Sequence, residues 1–258
     1  MVRFCCWASL SLALVMVAAG PAGAQQAETE SARLLAPGAV KGGAGFEFQT
    51  SSEGTESALP LFVEGGVARW LELVVEQVAY VGLRPTMGTR VTGPGDLEVT
   101  LVGLASPERA RIPAIAFAAE LKAPVARNAA IGTGEFDYAG YLILSKRVGK
   151  LDVSANASYA LIGAPPATTV DNVFGFAVSA KYPIGRLDLF AEALGTTAAI
   201  PESEGTGGAA ELAGGELFGT VGAGYRMTPW MYLFLNVSYD NNQAVLVHPG
   251  ITLSHQVF

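Results

Sequence analysis

The chain has 258 residues, of which 50% are hydrophobic and 15% charged, with 31 glycines; an ordinary soluble domain carries about 25% charged residues. A composition this apolar excludes a disordered chain, and no apolar run reaches the ~20 residues of a membrane-spanning helix, which excludes a polytopic helical protein. The net charge of −7 argues against a nucleic-acid partner, since phosphates are held by a basic stripe.

In chain order, the first element is a targeting segment. Arg3 supplies a positive start, Ala8 to Ala19 an apolar core, Gly20 and Pro21 a break, and Ala22-Gly23-Ala24 a small-residue cleavage site, the pattern of a signal peptide over residues 1–24. Cleavage before Gln25 leaves 15 basic and 23 acidic residues, a net charge of −8, and removes both cysteines. Disulfide, zinc-thiolate and cysteine-nucleophile chemistry is therefore not expected of the mature chain. Cys5 and Cys6 precede the apolar core, whereas a lipoprotein cysteine follows it. Residues 25–43, rich in Ala, Gly, Gln and Glu around Leu34 and Leu35, read as a mobile N-terminal arm.

From residue 44 to 258 the dominant signal is period 2, apolar on one face and polar or small on the other. Leu151, Val153, Ala155, Ala157, Tyr159 and Leu161 alternate with Asp152, Ser154, Asn156 and Ser158. Similar alternation recurs to the end of the chain, and no stretch competes as a long amphipathic helix. It predicts about twelve strands: Ala44 to Ser52, Leu59 to Val67, Trp70 to Leu83, Asp96 to Ala105, Ile112 to Ala123, Asp137 to Arg147, Lys150 to Ile162, Asn172 to Pro183, Leu187 to Thr197, Glu216 to Arg226, Trp230 to Asn241 and Gly250 to Phe258. Tight turns at Ala68-Arg69, Val148-Gly149, Ile184-Gly185-Arg186 and Met227-Thr228-Pro229 alternate with long links at 84–95, 124–136, 163–171 and 198–215.

Short and long connections alternating along an even number of antiparallel strands describe an all-β, up-and-down transmembrane barrel of the outer membrane, with turns in the periplasm and loops outside. The bilayer accounts for the two faces. Backbone polar groups in hydrocarbon must be paired internally, so the sheet closes, and lipid-facing side chains are apolar while the lumen can be polar. Trp70, Tyr80, Tyr182, Tyr225, Trp230 and Tyr239 lie near strand ends, where interfacial aromatic girdles form. With this assignment Glu47, Glu64, Glu72, Glu76, Glu98, Glu120, Asp188 and Glu192 point inward, with Lys122, Lys181 and Arg226 as inward cations. Carboxylates crowded in a lumen favour cations over anions; they can also simply fill a narrow barrel. The loop at 198–215, with Glu202, Glu204 and Glu211, reads as a solvated acidic loop.

Several motifs bring a family into view. Gly95-Asp96-Leu97 opening one strand, Gly132-Thr133-Gly134-Glu135-Phe136-Asp137-Tyr138 entering another, Leu144-Ser145-Lys146 ending it, and Tyr225-Arg226-Met227-Thr228-Pro229 at a late turn resemble the outer-membrane protein family associated with the phenol meta-degradation pathway. The likeness runs from Leu59 to the end. It implies a channel-like outer-membrane protein associated with transport, with no catalytic residues to carry over. The terminal Phe258 resembles the signal that barrel proteins present to their insertion machinery, although Gln256 departs from the aromatic or apolar residue expected there.

Enzyme readings lack parts. The only histidines are His248 and His255, and neither a metalloprotease HExxH nor a hydrolase GxSxG is present. Ser254 and His255 are adjacent in a strand, which puts them on opposite faces. No metal or cofactor is expected. The functional expectation is an outer-membrane channel or transporter for small solutes, surrounded by outer-membrane lipids. A non-conducting structural or surface-interaction barrel is the alternative, and an outer-membrane lipid-modifying enzyme a distant third.

Overall fold

The computed structural model describes residues 29–165, 170–197, 217–241 and 243–256. The expected signal peptide, the loop at 198–215 and Phe258 lie outside the described residues. All regular structure among the described residues is strand. The chain begins with β1 (Ala39–Gly45) and β2 (Glu47–Ser51), followed by β3 (Gly54–Ala68), β4 (Leu71–Pro85), the short β5 (Val91–Gly93), β6 (Leu97–Ser106) and β7 (Ala114–Ala123). It continues through β8 (Asp137–Val148), β9 (Leu151–Leu161), β10 (Val173–Ile184), β11 (Leu187–Thr196), β12 (Leu217–Thr228), β13 (Met231–Asp240) and β14 (Val245–Gln256).

β1 and β2 are two halves of one strand broken at Phe46, whose N–H donates to the Pro249 carbonyl at 2.9 Å. Both halves pair with β3 and with β14, and β5 pairs only with β4. Counting β1 and β2 once and leaving β5 to its loop, twelve antiparallel strands close into a barrel. The seam runs from Ala39↔Gln256 to Gly45↔Gly250 and on to Val247↔Phe48 and Val245↔Thr50. This pairing removes the two free edges that an open sheet would present to lipid.

The period-2 pattern sorts the side chains as expected. Leu101, Phe117, Leu142, Phe176, Val178, Leu189, Val221, Leu235 and Val237 are exposed on the outer face, while their neighbours Thr100, Ala118, Ile143, Ala177, Asp188, Thr220 and Asn236 are buried inside. Trp70, Tyr182, Tyr225 and Trp230 are exposed near one rim and Tyr239 near the other. Five short connections share an end with the start of β1 and the finish of β14, referred to below as the turn end. Two of them are two-residue hairpins with Gly149 (φ 61°) and Gly185 (φ 64°) first, a conformation that only glycine adopts without cost.

Several boundaries differ from the sequence reading. β3 begins at Gly54 rather than Leu59, since a two-residue turn at Ser52-Glu53 continues the ladder through polar residues that carry no alternation signal. β14 begins at Val245 rather than Gly250, so His248 and Pro249 lie within a strand. The expected arm 25–43 is also divided. Ala39–Gly43 belongs to β1, and Thr29–Pro37 enters the barrel, as described below.

The cost of a charge on the outer face should follow depth. Val221, 63% exposed near the middle of β12, should cost about 2–4 kcal/mol on Val221→Arg, whereas Val148→Arg beside the β8–β9 turn should cost about 0–1. Unfolding titrations in detergent or lipid check this, and equal costs would contradict the placement of the bilayer on the barrel.

Candidate functional site

The strand registers set the inward residues into rows that run around the wall. One row passes from Phe62 on β3 to Glu76, Glu98, Lys122 and Asp137 on β4, β6, β7 and β8. The next runs from Lys41 on β1 through Glu64, Val74, Thr100 and Glu120. A third places Glu72 beside Val102, Ala118 and Tyr141. Charges in these rows are buried and mutually arranged. Lys41 pairs with Glu64 at 2.6 Å, and Tyr141 and Thr100 both donate to Glu120, at 3.0 and 3.2 Å. Lys122, 1% exposed, pairs with Asp137 and lies 3.6 Å from Asp96. A buried ion pair is held only where its remaining lone pairs also find donors. Asp96 accepts the Ala126 N–H at 2.9 Å, and Asp137 the Gly163 N–H at 2.7 Å.

The facing wall is built differently. Inward rings reach over glycines of the neighbouring strand: Phe190 over Gly222, Tyr232 over Gly224, Phe234 over Gly250 and His248 over Gly45, with Phe62 reaching over Gly43 at the edge of the ionic side. A Cβ at any of these glycines would collide with the ring. Bulk that would otherwise stand in the lumen is thereby laid along the wall.

Thr29–Pro37 crosses between the two walls from the turn end. Gly38 N–H donates to the Gly66 carbonyl at 2.8 Å, and the Ala36 carbonyl packs where a Gly66 side chain would stand. From there the Leu35 N–H donates to Glu72 on β4, the Ala32 N–H to Ser145 Oγ on β8 at 2.9 Å, and the Thr29 N–H to Glu192 on β11 at 2.7 Å, with the Thr29 hydroxyl on the same carboxylate. β4 and β11 are six strands apart in the twelve-strand ring, so the anchors stand on opposite sides. Six residues reach at most about 20 Å, and the segment, bent at Ala32, spans the lumen between these anchors. Ala32 and Leu34 pack against Val74, Val102, Ala114, Ala116, Ala118 and Ile143. Wall residues that would be anomalous in a polar lumen are explained by this cover.

At the turn end the segment is latched by charge. The Arg33 guanidinium meets Glu108, in the β6–β7 connection, at 2.8 Å and Asp152 on β9 at 3.3 Å. Glu108 also accepts the Arg147 N–H at 2.9 Å and pairs with Lys146 at 3.1 Å. The Arg147 amide first, then the Arg33 and Lys146 side chains, hold the Glu108 carboxyl down at about 2, so this latch stays ionised at any ordinary pH.

Of the residues expected from sequence to line the lumen, Glu64, Glu72, Glu98, Glu120, Lys122 and Glu192 are buried inside. Glu76 is half-buried and stands directly opposite Glu98. Lys181 is half-buried opposite Asp152, and Arg226 lies half in solvent at the turn end, 3.2 Å from Asp188. Sequence reasoning missed Lys41, which fell inside the expected arm, and Glu30 and Arg33, which the arm itself carries inward. It also missed Asp96 and Asp137. Both stand in turn motifs, and their shared partner Lys122 ties those motifs together.

No protein-family model matches the chain, and no curated protein is similar to it in sequence. Solved structures do match. The COG4313 outer membrane channel from Pseudomonas putida F1 superposes with a TM-score of 0.67 at 13% identity, over 92% of this chain and 100% of that one. The NanC porin gives 0.59 at 12% identity, over 82% of this chain and 98% of its own. The KdgM porin, solved in complex with disordered oligogalacturonate, gives 0.53 at 11% identity over the same shares. At these identities the likeness is one of fold: the chain has the closed twelve-strand barrel of outer-membrane porins.

Proposed function

We propose that this chain is an outer-membrane channel for small solutes, with an acid-rich lumen that favours cations and with its own N-terminal segment seated in the periplasmic half. The observation that carries the reading is the segment itself. It is held across a closed barrel by a few hydrogen bonds and ion pairs to side chains, with no strand pairing between Thr29 and Pro37, so it can leave without opening the wall. The turn end then faces the periplasm, as short connections do in such barrels. The motif resemblance supports placing the chain with the outer-membrane family of the phenol meta-degradation pathway.

Among the described lumen residues carboxylates outnumber cations; Glu76 and Glu98 stand opposite each other in one row, and Glu72 lies two rows away on the same strand as Glu76. The opposed Glu76 and Glu98 lie within a Debye length of about 8 Å at physiological salt, and Glu72 adds to the field of the same low-dielectric lumen. Glutamine at all three positions keeps size and hydrogen bonding while deleting charge. The reversal potential in a salt gradient should therefore show cation preference in the wild-type channel and a shift toward zero in Glu72→Gln/Glu76→Gln/Glu98→Gln. Anion selectivity, or a reversal potential unmoved by the triple change, would overturn the electrostatic part of this reading.

The seated segment also favours a second reading, a barrel that does not conduct. Deletion of residues 29–37 separates the two. A channel should gain single-channel conductance severalfold in planar bilayers, whereas a barrel that stays silent with the segment removed is a structural or surface-interaction protein.

A further inference from the structure

The segment carries a carboxylate into a place where carboxylates already gather. Glu30 is 5% exposed, and its Oε2 has no hydrogen-bond partner among the described residues. It lies in the electrostatic reach of Glu64 on β3, Glu72 on β4 and Glu120 on β7, with Lys41 on β1 as the nearby cation. Glu98 on β6 and the Tyr141 hydroxyl on β8 belong to the same cluster. Lys41 is already bonded to Glu64. On the segment itself Arg33 is turned away to Glu108 and Asp152, and the neighbouring Thr29 is held by Glu192 on β11.

We propose that Glu30 makes the seating of the segment proton-dependent: with the cluster protonated the segment stays docked, and with the cluster ionised it is driven out of the lumen. Ionising Glu30 in place adds a buried charge to three wall carboxylates whose nearby ammonium groups, Lys41 and, beside Glu120, Lys122, are already paired with Glu64 and Asp137, so docking raises its affinity for a proton above that of the same residue on a free chain. The docked state thus binds more protons than the released one. Linkage then favours docking at low pH and weakens it as pH rises through the docked-state titration. The other anchors do not reverse this sign. Glu108 remains ionised throughout; the segment's amide bonds to Glu72 and Glu192 favour the ionised carboxylates and so oppose the switch in part, but a protonated carboxyl keeps each bond through its carbonyl oxygen.

This inference rests on the channel reading for its physiological meaning, so the test reads the seat directly. In the full chain with Cys5→Ser and Cys6→Ser, Ala32→Cys reports the docked segment, since Ala32 is 1% exposed, and Met87→Cys, at 85% exposure, reports an open loop. The ratio of their labelling rates by a charged methanethiosulfonate cancels the common rise in thiolate with pH. That ratio should increase by about tenfold or more between about pH 5.5 and 8.5. Glu30→Gln should hold it low at both, with heat-modifiable migration confirming that each variant is folded. A ratio that does not change with pH, or one that rises equally in Glu30→Gln, overturns the proposal. A pH-dependent ratio in a barrel that never conducts supports the switch and contradicts the channel.

Discussion

Everything in this molecule depends on one set of hydrogen bonds, those that join β14 to β1 and β2. A sheet in hydrocarbon has no water to satisfy an edge, and an unpaired backbone group there costs several kcal/mol. Closure makes an inside and an outside from a single alternating sequence, and every later feature is a consequence of which side a residue falls on. The same constraint explains the break at Phe46. The seam keeps its pairing on both sides of the interruption, because its N–H is still received by the Pro249 carbonyl.

Inside, the barrel is closer to a protein core than to a water-filled pipe. Lys122 and Glu64 are each 1% exposed, and such burial is tolerated only because partners converge on them from several strands. The ionic sector over β3 to β8 faces a sector where rings lie on glycines, so the lumen is chemically lopsided. The N-terminal segment completes the ionic side. It supplies backbone N–H donors to Glu72 and Glu192, covers the small apolar residues of β4, β6, β7 and β8, and places Arg33 against Glu108 at the rim.

The barrel was legible in the sequence because lipid imposes a strict period of two on strands such as β9 and β13, and because glycine and proline punctuate their turns. Inward placement of Glu72, Glu98 and Glu120 followed from the same parity. The fate of residues 29–37 was not legible. An Ala- and Glu-containing stretch has the same composition whether it is loose or docked, and its anchors Glu72, Ser145 and Glu192 are remote in sequence. Lys41 was hidden for a related reason: the glycines around it weaken the strand signal that would have turned it inward. Asp96 and Asp137 stood in recognisable turn motifs, yet only the closed barrel brings them to Lys122.

Docking of the segment inside the closed barrel can be read from amide hydrogen exchange of the full chain in detergent at mildly acidic pH. The amides of Thr29, Ala32 and Leu35, bonded to Glu192, Ser145 and Glu72, should exchange far more slowly than those of a free chain, while the amide of exposed Met87 exchanges fast. Exchange at Thr29, Ala32 and Leu35 as fast as at Met87, with the strands protected, would show that the segment does not occupy the lumen.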